Sequence, residues 1–417
     1  MSHLPVKNID TMPINREMVK TMLERRIPDY TLEQPFYTSP ELFRIDMEEI
    51  FGKEWIFAGM TCELPKKGSF ITLELGDNPI VILRDNNNEI TAFHNVCRHR
   101  GSKLCLTQRG KSPKLVCSYH QWAYDLDGTL VYAGSDMGDD FDKQQFSLHP
   151  VHCESAGGYI FVCLADNPPP IQEFLDDMNL YLEPHGMEDT KIAVQSEIIE
   201  KANWKLVVEN NRECYHCDGS HPELLASLLE WDDNNDPRST PEFKALVAEK
   251  QALWDTLDIP YLFKGAYNNR NRLVRTPLKA GTHSMTLDGK VASTKLMGRI
   301  TSPDLGALRI LHLPNSWNHG MGDNLIAFQI IPISPQETRV VTRWLVHKDA
   351  VEGVDYDPEN LAKVWTATNA QDRSLAENNQ RGVNSVAYQP GPYSKTFEFG
   401  VINFVNWYCE RLEENLG

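Results

Sequence analysis

The chain has 417 residues, 24% of them charged and 41% apolar, and a formal net charge of −17 at pH 7. That length accommodates two domains, and an acidic balance with no basic tract argues against a nucleic-acid partner. No run of about twenty apolar residues is present to span a membrane, and Met1–Met18 lacks the apolar core and basic flank of a signal peptide, so a cytoplasmic protein is expected.

Residues 1–38 are polar, with one helix expected over Arg16–Arg25. Ser39-Pro40 opens a second helix, since Ser suits the cap and Pro the first turn. Leu42, Phe43, Met47, Ile50 and Phe51 give it an apolar face. From Trp55 the pattern changes to short strands. Phe70–Leu75 alternates, Ile80–Leu83 and Thr91–Phe93 follow around the turn Asp85–Asn88, and Trp122–Leu126 and Thr129–Val131 flank Asp127-Gly128, a hairpin signal. Tyr159–Val162 is a further buried strand. Residues 55–166 therefore read as a small all-β unit behind a helical segment, 1–54.

Asn167-Pro168-Pro169-Pro170 marks the next boundary, because three prolines stop regular structure. Residues 167–417 read as an α+β domain. A helix at Ile171–Tyr181, an alternating strand at Lys191–Glu200 and a helix at Asn203–Asn210 come first. A charged helical stretch to about Leu257 and a loop to Thr276 follow. Strands are expected at Ser284–Leu287, Ser293–Ile300, Ala307–Leu313, Leu325–Ile333 and Thr338–Val346, then a long helix over Pro358–Asn379 and a last one over Val401–Leu412.

The nine cysteines, spread over the chain, fit reduced thiols and metal ligands better than disulfides. Two pairs of residues carry the chemistry. Cys97-Arg98-His99 and Cys117-Ser118-Tyr119-His120 form C-x-H and C-x-x-H, separated by seventeen residues. A Rieske-type [2Fe–2S] cluster needs two thiolates on one iron and two imidazoles on the other. Tetrahedral zinc also accepts Cys₂His₂, but zinc fingers pair Cys with Cys and His with His along the chain, whereas here each loop pairs Cys with His. Downstream, His216 and His221 flank the turn Cys217–Ser220, with Glu209 and Glu213 just before them. Imidazoles in this setting suit iron, zinc or copper, and two histidines plus a distant carboxylate make the facial triad of non-haem iron oxygenases.

The first of these regions resembles the Rieske domains of ring-hydroxylating and related non-haem iron oxygenases. The resemblance implies a [2Fe–2S] cluster on Cys97, His99, Cys117 and His120. Respiratory Rieske proteins bridge the two cluster loops by a disulfide; the matching positions here are Ser102 and Tyr119, and Cys105 is read as a buried thiol. Glu209-Asn210, Tyr215-His216 and His221 resemble the mononuclear iron segment of the same family. The stretch Gln371–Gly382 resembles its late helix, which puts Asp372 in the place of the third Fe(II) ligand, with Glu377 as a rival. Ring dioxygenases carry Asp where this chain has Glu213, an acid thought to link the iron site to a cluster histidine of the neighbouring subunit. Glu at this place is similar to the quaternary-amine Rieske monooxygenases, such as those acting on carnitine. FGKEWIFAGMTCELP, FHNVCRHRGSKLC, ENNRECYHCDGSHPELL, AVEGVDYDPE and YQPGPYSKTFEFGVINFVNWY extend that likeness over nearly the whole chain.

The resemblance implies a helix-grip catalytic domain, an antiparallel sheet holding a long helix. It implies O₂-dependent N-demethylation, with glycine betaine giving dimethylglycine and formaldehyde; stachydrine, choline or carnitine are alternative substrates, and an aromatic ring dioxygenase or a plain electron carrier are alternative activities. No G-x-G-x-x-G follows a strand. NADH and flavin are therefore expected on a separate flavin/iron–sulfur reductase, and the oxygenase as a head-to-tail homotrimer. A small cationic substrate calls for aromatic faces, for which Trp317, Tyr388, Tyr393, Phe397 and Phe399 are candidates. Its carboxylate calls for a donor, for which His319, Asn315 and Arg272 are candidates.

Overall fold

A computed structural model describes residues 14–135, 137–229, 239–266 and 270–417. Three short helices lead in: α1 (Arg16–Glu24), α2 (Pro35–Thr38) and α3 (Pro40–Asp46), the last continuing through a π-helical turn at Met47–Phe51. Asn15 caps α1 by accepting from the Met18 N–H at 2.9 Å, and Ser39 caps α3 by accepting from Leu42 N–H at 3.2 Å. Their apolar residues Val19, Met22, Leu23, Leu42 and Ile45 join one core with helices from the far end of the chain. Asp46 shows how. Its buried carboxylate accepts from Trp204 Nε1 at 3.0 Å and Tyr408 Oη at 2.6 Å, and it pairs with the buried Lys205 ammonium. A charge this deep persists only with its partners in place, so the leading helices are fastened to the C-terminal half.

The β unit contains β1 (Ile56–Met60), β2 (Ser69–Leu75), β3 (Asn78–Arg84), β4 (Ile90–His94), β5 (Arg109–Lys111), β6 (Leu115–Val116), β7 (Ala123–Tyr124), β8 (Leu130–Tyr132), β9 (Pro150–Ala156) and β10 (Tyr159–Cys163). One antiparallel sheet runs β1-β10-β9-β4-β3-β2-β5, and β6-β7-β8 form a small second one. The expected strand at Trp122–Leu126 shrinks to Ala123–Tyr124, since Trp122 leaves the ladder to stack on His99. Gly128 closes the β7–β8 turn at φ +85°; a Cβ there would meet the Phe93 ring at 2.5 Å, so both the conformation and the space call for glycine. Strands β5 and β6 are too short, and β9 too polar, to show a period in sequence.

The C-terminal domain contains α4 (Gln172–Leu182), β11 (Thr190–Glu200), α5 (Trp204–Asn211), α6 (Cys217–Ser220), α7 (Pro241–Thr256), β12 (Lys264–Ala266), β13 (Asn271–Thr276), β14 (Ala307–His312), β15 (Ser316–Gly320), β16 (Leu325–Ser334), β17 (Glu337–His347), α8 (Pro358–Val383) and α9 (Phe399–Leu416). Its seven strands form an antiparallel sheet in the order β11-β17-β16-β15-β14-β13-β12. Asp357 caps α8 by accepting from Asn360 N–H at 2.8 Å, and Pro358 sits in its first turn. The helix buries Leu361, Val364, Trp365, Thr368 and Ala376, and Asn369 Nδ2 donates to Thr342 Oγ1 of β17 at 3.0 Å. This is the expected sheet gripping a long helix.

Three expectations need correction. Ser284–Leu287 and Ser293–Ile300 are turns and bends. Their polar groups are taken by side chains: buried Asp323 accepts from Ala292 and Ser293 N–H at 2.6 and 3.0 Å, and Asn324 donates to Ser284 Oγ at 2.8 Å. The stretch read as a loop up to Thr276 instead supplies β12 and β13, the edge of the sheet. The strand β15, with sequence SWNHG, lacks an apolar period and was not anticipated.

Candidate metal centres and active site

Two loops of the β unit bring Cys97, His99, Cys117 and His120 together. The cysteines are buried, and His120 is exposed. His99 Nδ1 and His120 Nδ1 lie 3.1 Å apart, and His99 stacks on Trp122 at 4.8 Å with rings 9° from parallel. Tyr124 Oη sits 3.4 Å from Cys97 Sγ and accepts from Arg98 N–H at 2.9 Å. Burial pushes the Cys97 thiol up. At Cys117 burial acts the same way, but the main-chain amides of Tyr119 and His120, together with hydrogen bonds from Cys97 and Ser102, hold the thiol below its ordinary value. Two inner sulfurs backed by N–H donors and two outer imidazoles presenting Nδ1 to one point fit a Rieske cluster's donor set.

The second centre is built at the end of α5. Asn203 caps that helix by accepting from Lys205 N–H at 3.0 Å. The chain then turns through Glu213, His216 and α6 to His221. His216 Nε2 and His221 Nε2 are 3.0 Å apart, and Asp372 Oδ1 on α8 lies 3.4 Å from the first and 3.0 Å from the second. The other ring nitrogens are held from behind. His216 Nδ1 bonds Glu213 Oε1, and His221 Nδ1 donates to Gln371 Oε1 at 2.9 Å, whose amide donates on to Glu223 at 2.8 Å. Such partners fix the tautomer that leaves Nε2 for a metal. Burial pulls the His216 imidazole down, yet the carboxylates of Asp372 and Glu213 hold it up at about 9. The local potential is that of a cation site, and two imidazoles with one carboxylate fit ferrous iron with open positions.

Cys214 and Cys217, on either side of His216, are joined by a disulfide with Cα atoms 4.9 Å apart. This corrects the expectation of thiols throughout. The i, i+3 spacing across a tight turn brings both side chains within bridging reach, which a count of cysteines does not register. Cys105 is buried, and burial raises its thiol to about 11.

The centre opens on a cavity of about 140 Å³ between sheet and helix. Of the residues singled out in sequence, Glu213, His216, His221, Asp372, Arg272, His319, Phe397 and Phe399 line it. Phe397 stacks on Tyr215 at 5.0 Å, and His319 on Trp365 at 4.9 Å. The others are placed elsewhere. Trp317 stacks on Phe328 at 5.5 Å in the core beside the sheet. Asn315 exchanges hydrogen bonds with the main chain of Phe57, both at 2.9 Å. Tyr388 donates to Leu32 O, and Tyr393 to Glu209. Arg309, Trp365 and Thr368 also line the cavity and were missed. Trp365 stands two helical turns before Asp372 on the same face, a spacing that could have revealed it.

Residues 185–414 match the family model "Ring hydroxylating alpha subunit (catalytic domain)", and residues 54–137 match "Rieske [2Fe-2S] domain". The chain is 60% identical to the glycine betaine monooxygenase oxygenase subunit of Pseudomonas aeruginosa strain PAO1, over 98% of this chain and 95% of that protein. It is 57% identical to the protein of the same name from Chromohalobacter salexigens, over 98% of this chain and 91% of that one. Among solved structures, a quaternary ammonium Rieske monooxygenase in complex with an inhibitor shares the fold, with a TM-score of 0.71 at 22% identity, over 96% of this chain and 99% of that one.

Proposed function

The chain belongs to the ring-hydroxylating oxygenase alpha subunits, Rieske non-haem iron enzymes, and from that membership we propose that it is the terminal oxygenase removing one methyl group from glycine betaine. What carries the substrate assignment is 60% identity, over 98% of the chain, to a protein named for that activity. The cavity supports it. At about 140 Å³ it falls well below the ~300–1,000 Å³ of sites for drug-sized ligands, and it suits a small amine better than a fused aromatic. The net reaction is betaine + O₂ + NADH + H⁺ → dimethylglycine + formaldehyde + NAD⁺ + H₂O.

Cys97, Cys117, His99 and His120 would hold the cluster, and His216, His221 and Asp372 would hold the mononuclear iron. When bound, these groups supply electron relay and dioxygen activation. The protein's own share is position. Glu213 and Gln371 keep the two imidazoles from rotating. Trp365, His319 and Phe397 give the cavity aromatic walls against which methylammonium groups pack. Phe399, 45% exposed, stands at the mouth.

As the oxygenase component of a multicomponent system, the chain takes its electrons from a separate reductase. We assign that partner to the NADH-dependent flavin/iron–sulfur class and the protein to the cytoplasm. The subunits assemble as a head-to-tail trimer in which the exposed edge at Tyr119 and His120 faces the Glu213 side of the next copy. The test is formaldehyde release with NADH and a generic reductase over a panel of methylated amines, with light scattering for the assembly. Glycine betaine is expected to lead the panel. No formaldehyde from betaine, or cis-diols from arenes, overturns the reading, and a fully coupled monomer overturns the trimer.

A further inference from the structure

The imidazoles of His216 and His221 are backed in different ways. His216 Nδ1 bonds a carboxylate oxygen of Glu213 directly. An ionised carboxylate accepts and never donates, so it admits only the tautomer with hydrogen on Nδ1 and a free lone pair on Nε2. His221 Nδ1 bonds the Gln371 amide instead, at 2.9 Å. An amide has an acceptor at one corner and a donor at the other, and it can turn over. Turned over, Gln371 would donate to Nδ1, and the ring hydrogen would sit on Nε2, the atom 3.0 Å from both Asp372 Oδ1 and His216 Nε2. Gln371 by itself does not choose between the two arrangements.

The next residue out does. Gln371 Nε2 donates to Glu223 Oε2 at 2.8 Å. Glu223 is held in place by the same turn that holds His221: Leu225 N–H donates to His221 O at 3.0 Å, and Glu223 opens the short 3-10 turn Leu224–Ala226. Gln371 comes from α8, beside Asp372. Glu223 and Gln371 are both half-buried. The three side chains therefore close a ring between the His221 turn and the helix that carries the third ligand.

We propose that Glu223 is a positioning residue for the mononuclear centre: its carboxylate holds the Gln371 amide with oxygen toward His221 and so keeps that ring's Nε2 free for the metal. This deepens the metal-centre reading and rests on it. Turning the amide over would set its oxygen against the Glu223 carboxylate, acceptor on acceptor, and break the bond between them. The polarity that Glu213 gives His216 by direct contact thus reaches His221 through an amide, from an acid that touches neither ring nor metal.

The test is the ferrous ion retained by cluster-loaded protein against a graded chelator, under anaerobic conditions, for the wild type, Glu223→Gln and Glu223→Met. The two variants remove the same charge, but only glutamine keeps an oxygen able to accept from Gln371 Nε2. Glu223→Met is expected to weaken iron binding ~10-fold, the lower end of what losing a partner behind a metal ligand costs, and Glu223→Gln to keep most of the wild-type affinity. The same two substitutions are then compared on a Gln371→Glu background, where a carboxylate accepts from His221 Nδ1 whichever way it turns; there they are expected to bind iron equally. Cluster absorbance, expected unchanged throughout, reports the fold. Wild type that retains iron while the Met and Gln variants lose it to the same degree, or not at all, refutes the positioning role alone, as does a gap between them that persists with Gln371→Glu. Wild type that carries a full cluster yet binds no ferrous ion refutes the metal-centre reading and this proposal together.

Discussion

Glu209 on α5 is a buried acid whose titration should be visible in the stability of the whole protein. Its carboxylate accepts from Tyr37 Oη and Tyr393 Oη, each at 2.9 Å, so it ties a leading helix to the segment that carries Phe397 into the cavity wall. Burial pushes its carboxyl from the ordinary 4.5 up to about 7, against the two tyrosine hydroxyls and the Lys205 charge and with help from Glu398. A raised carboxyl binds its proton more tightly in the folded state than in the unfolded one. The stabilisation is therefore complete below about pH 4.5 and is lost as pH rises through about 7. At 1.36 kcal/mol per pH unit, that interval corresponds to ~3 kcal/mol. In Glu209→Gln this titration is absent, while the histidines and Asp372 titrate as before and cancel in the comparison. Urea unfolding of wild type and variant, at matched metal loading from pH 5 to 8, should show wild type losing up to ~3 kcal/mol relative to the variant across the range. Parallel stability profiles would show that Glu209 stays ionised throughout and that burial does not govern it.

The other expectations concern the two centres and the core. Gln371→Leu frees His221 Nδ1, and mononuclear iron affinity should fall ~10–100-fold, read as iron retained after a chelator challenge, with the cluster's absorbance unchanged. Cys117→Ser should abolish the visible spectrum of the cluster while ferrous ion still binds at His216, His221 and Asp372. Phe397→Ala, which opens one wall and strips Tyr215 of its stacking partner, should raise KM for betaine with iron content intact; an unchanged KM would remove Phe397 from the pocket. Asp46→Ala leaves the Lys205 ammonium buried without its counter-charge, and should lower unfolding free energy by ~3–5 kcal/mol.

The residues proposed for the two metal centres could be singled out in the chain because most of them stand close together in sequence. Cys97 with His99, Cys117 with His120, and His216 with His221 each occupy one loop, and such spacings survive whatever surrounds them. Asp372 lies far along the chain and was placed by the likeness of its segment to a family helix. The strands β2, β3, β16 and β17 announced themselves by alternation or by apolar runs, and α8 was expected over Pro358–Asn379. The alternation at Ser284–Leu287 and Ser293–Ile300 was equally plain, yet buried Asp323 and Asn324 claim the backbone and side-chain groups that a neighbouring strand would need.

Strand pairing decided the cavity. A period of two says that Arg309 shares a face with Leu311, but not that the face looks toward α8, nor that Arg272 and His319 lie beside it. Those facts depend on register between segments distant in sequence, and a shift of one residue would turn every side chain to the other face. Asn315 and Trp317, plausible pocket residues by type, are spent elsewhere, the first on the main chain of Phe57 in β1 and the second on stacking against Phe328, while Arg309 and Trp365 line the cavity with His216, His221 and Asp372. Spacing along the chain marked the residues able to hold metal, and resemblance chose among the metals; only the folded sheet determined what those residues face, because ligand pairs are local chemistry and cavity walls are non-local contacts.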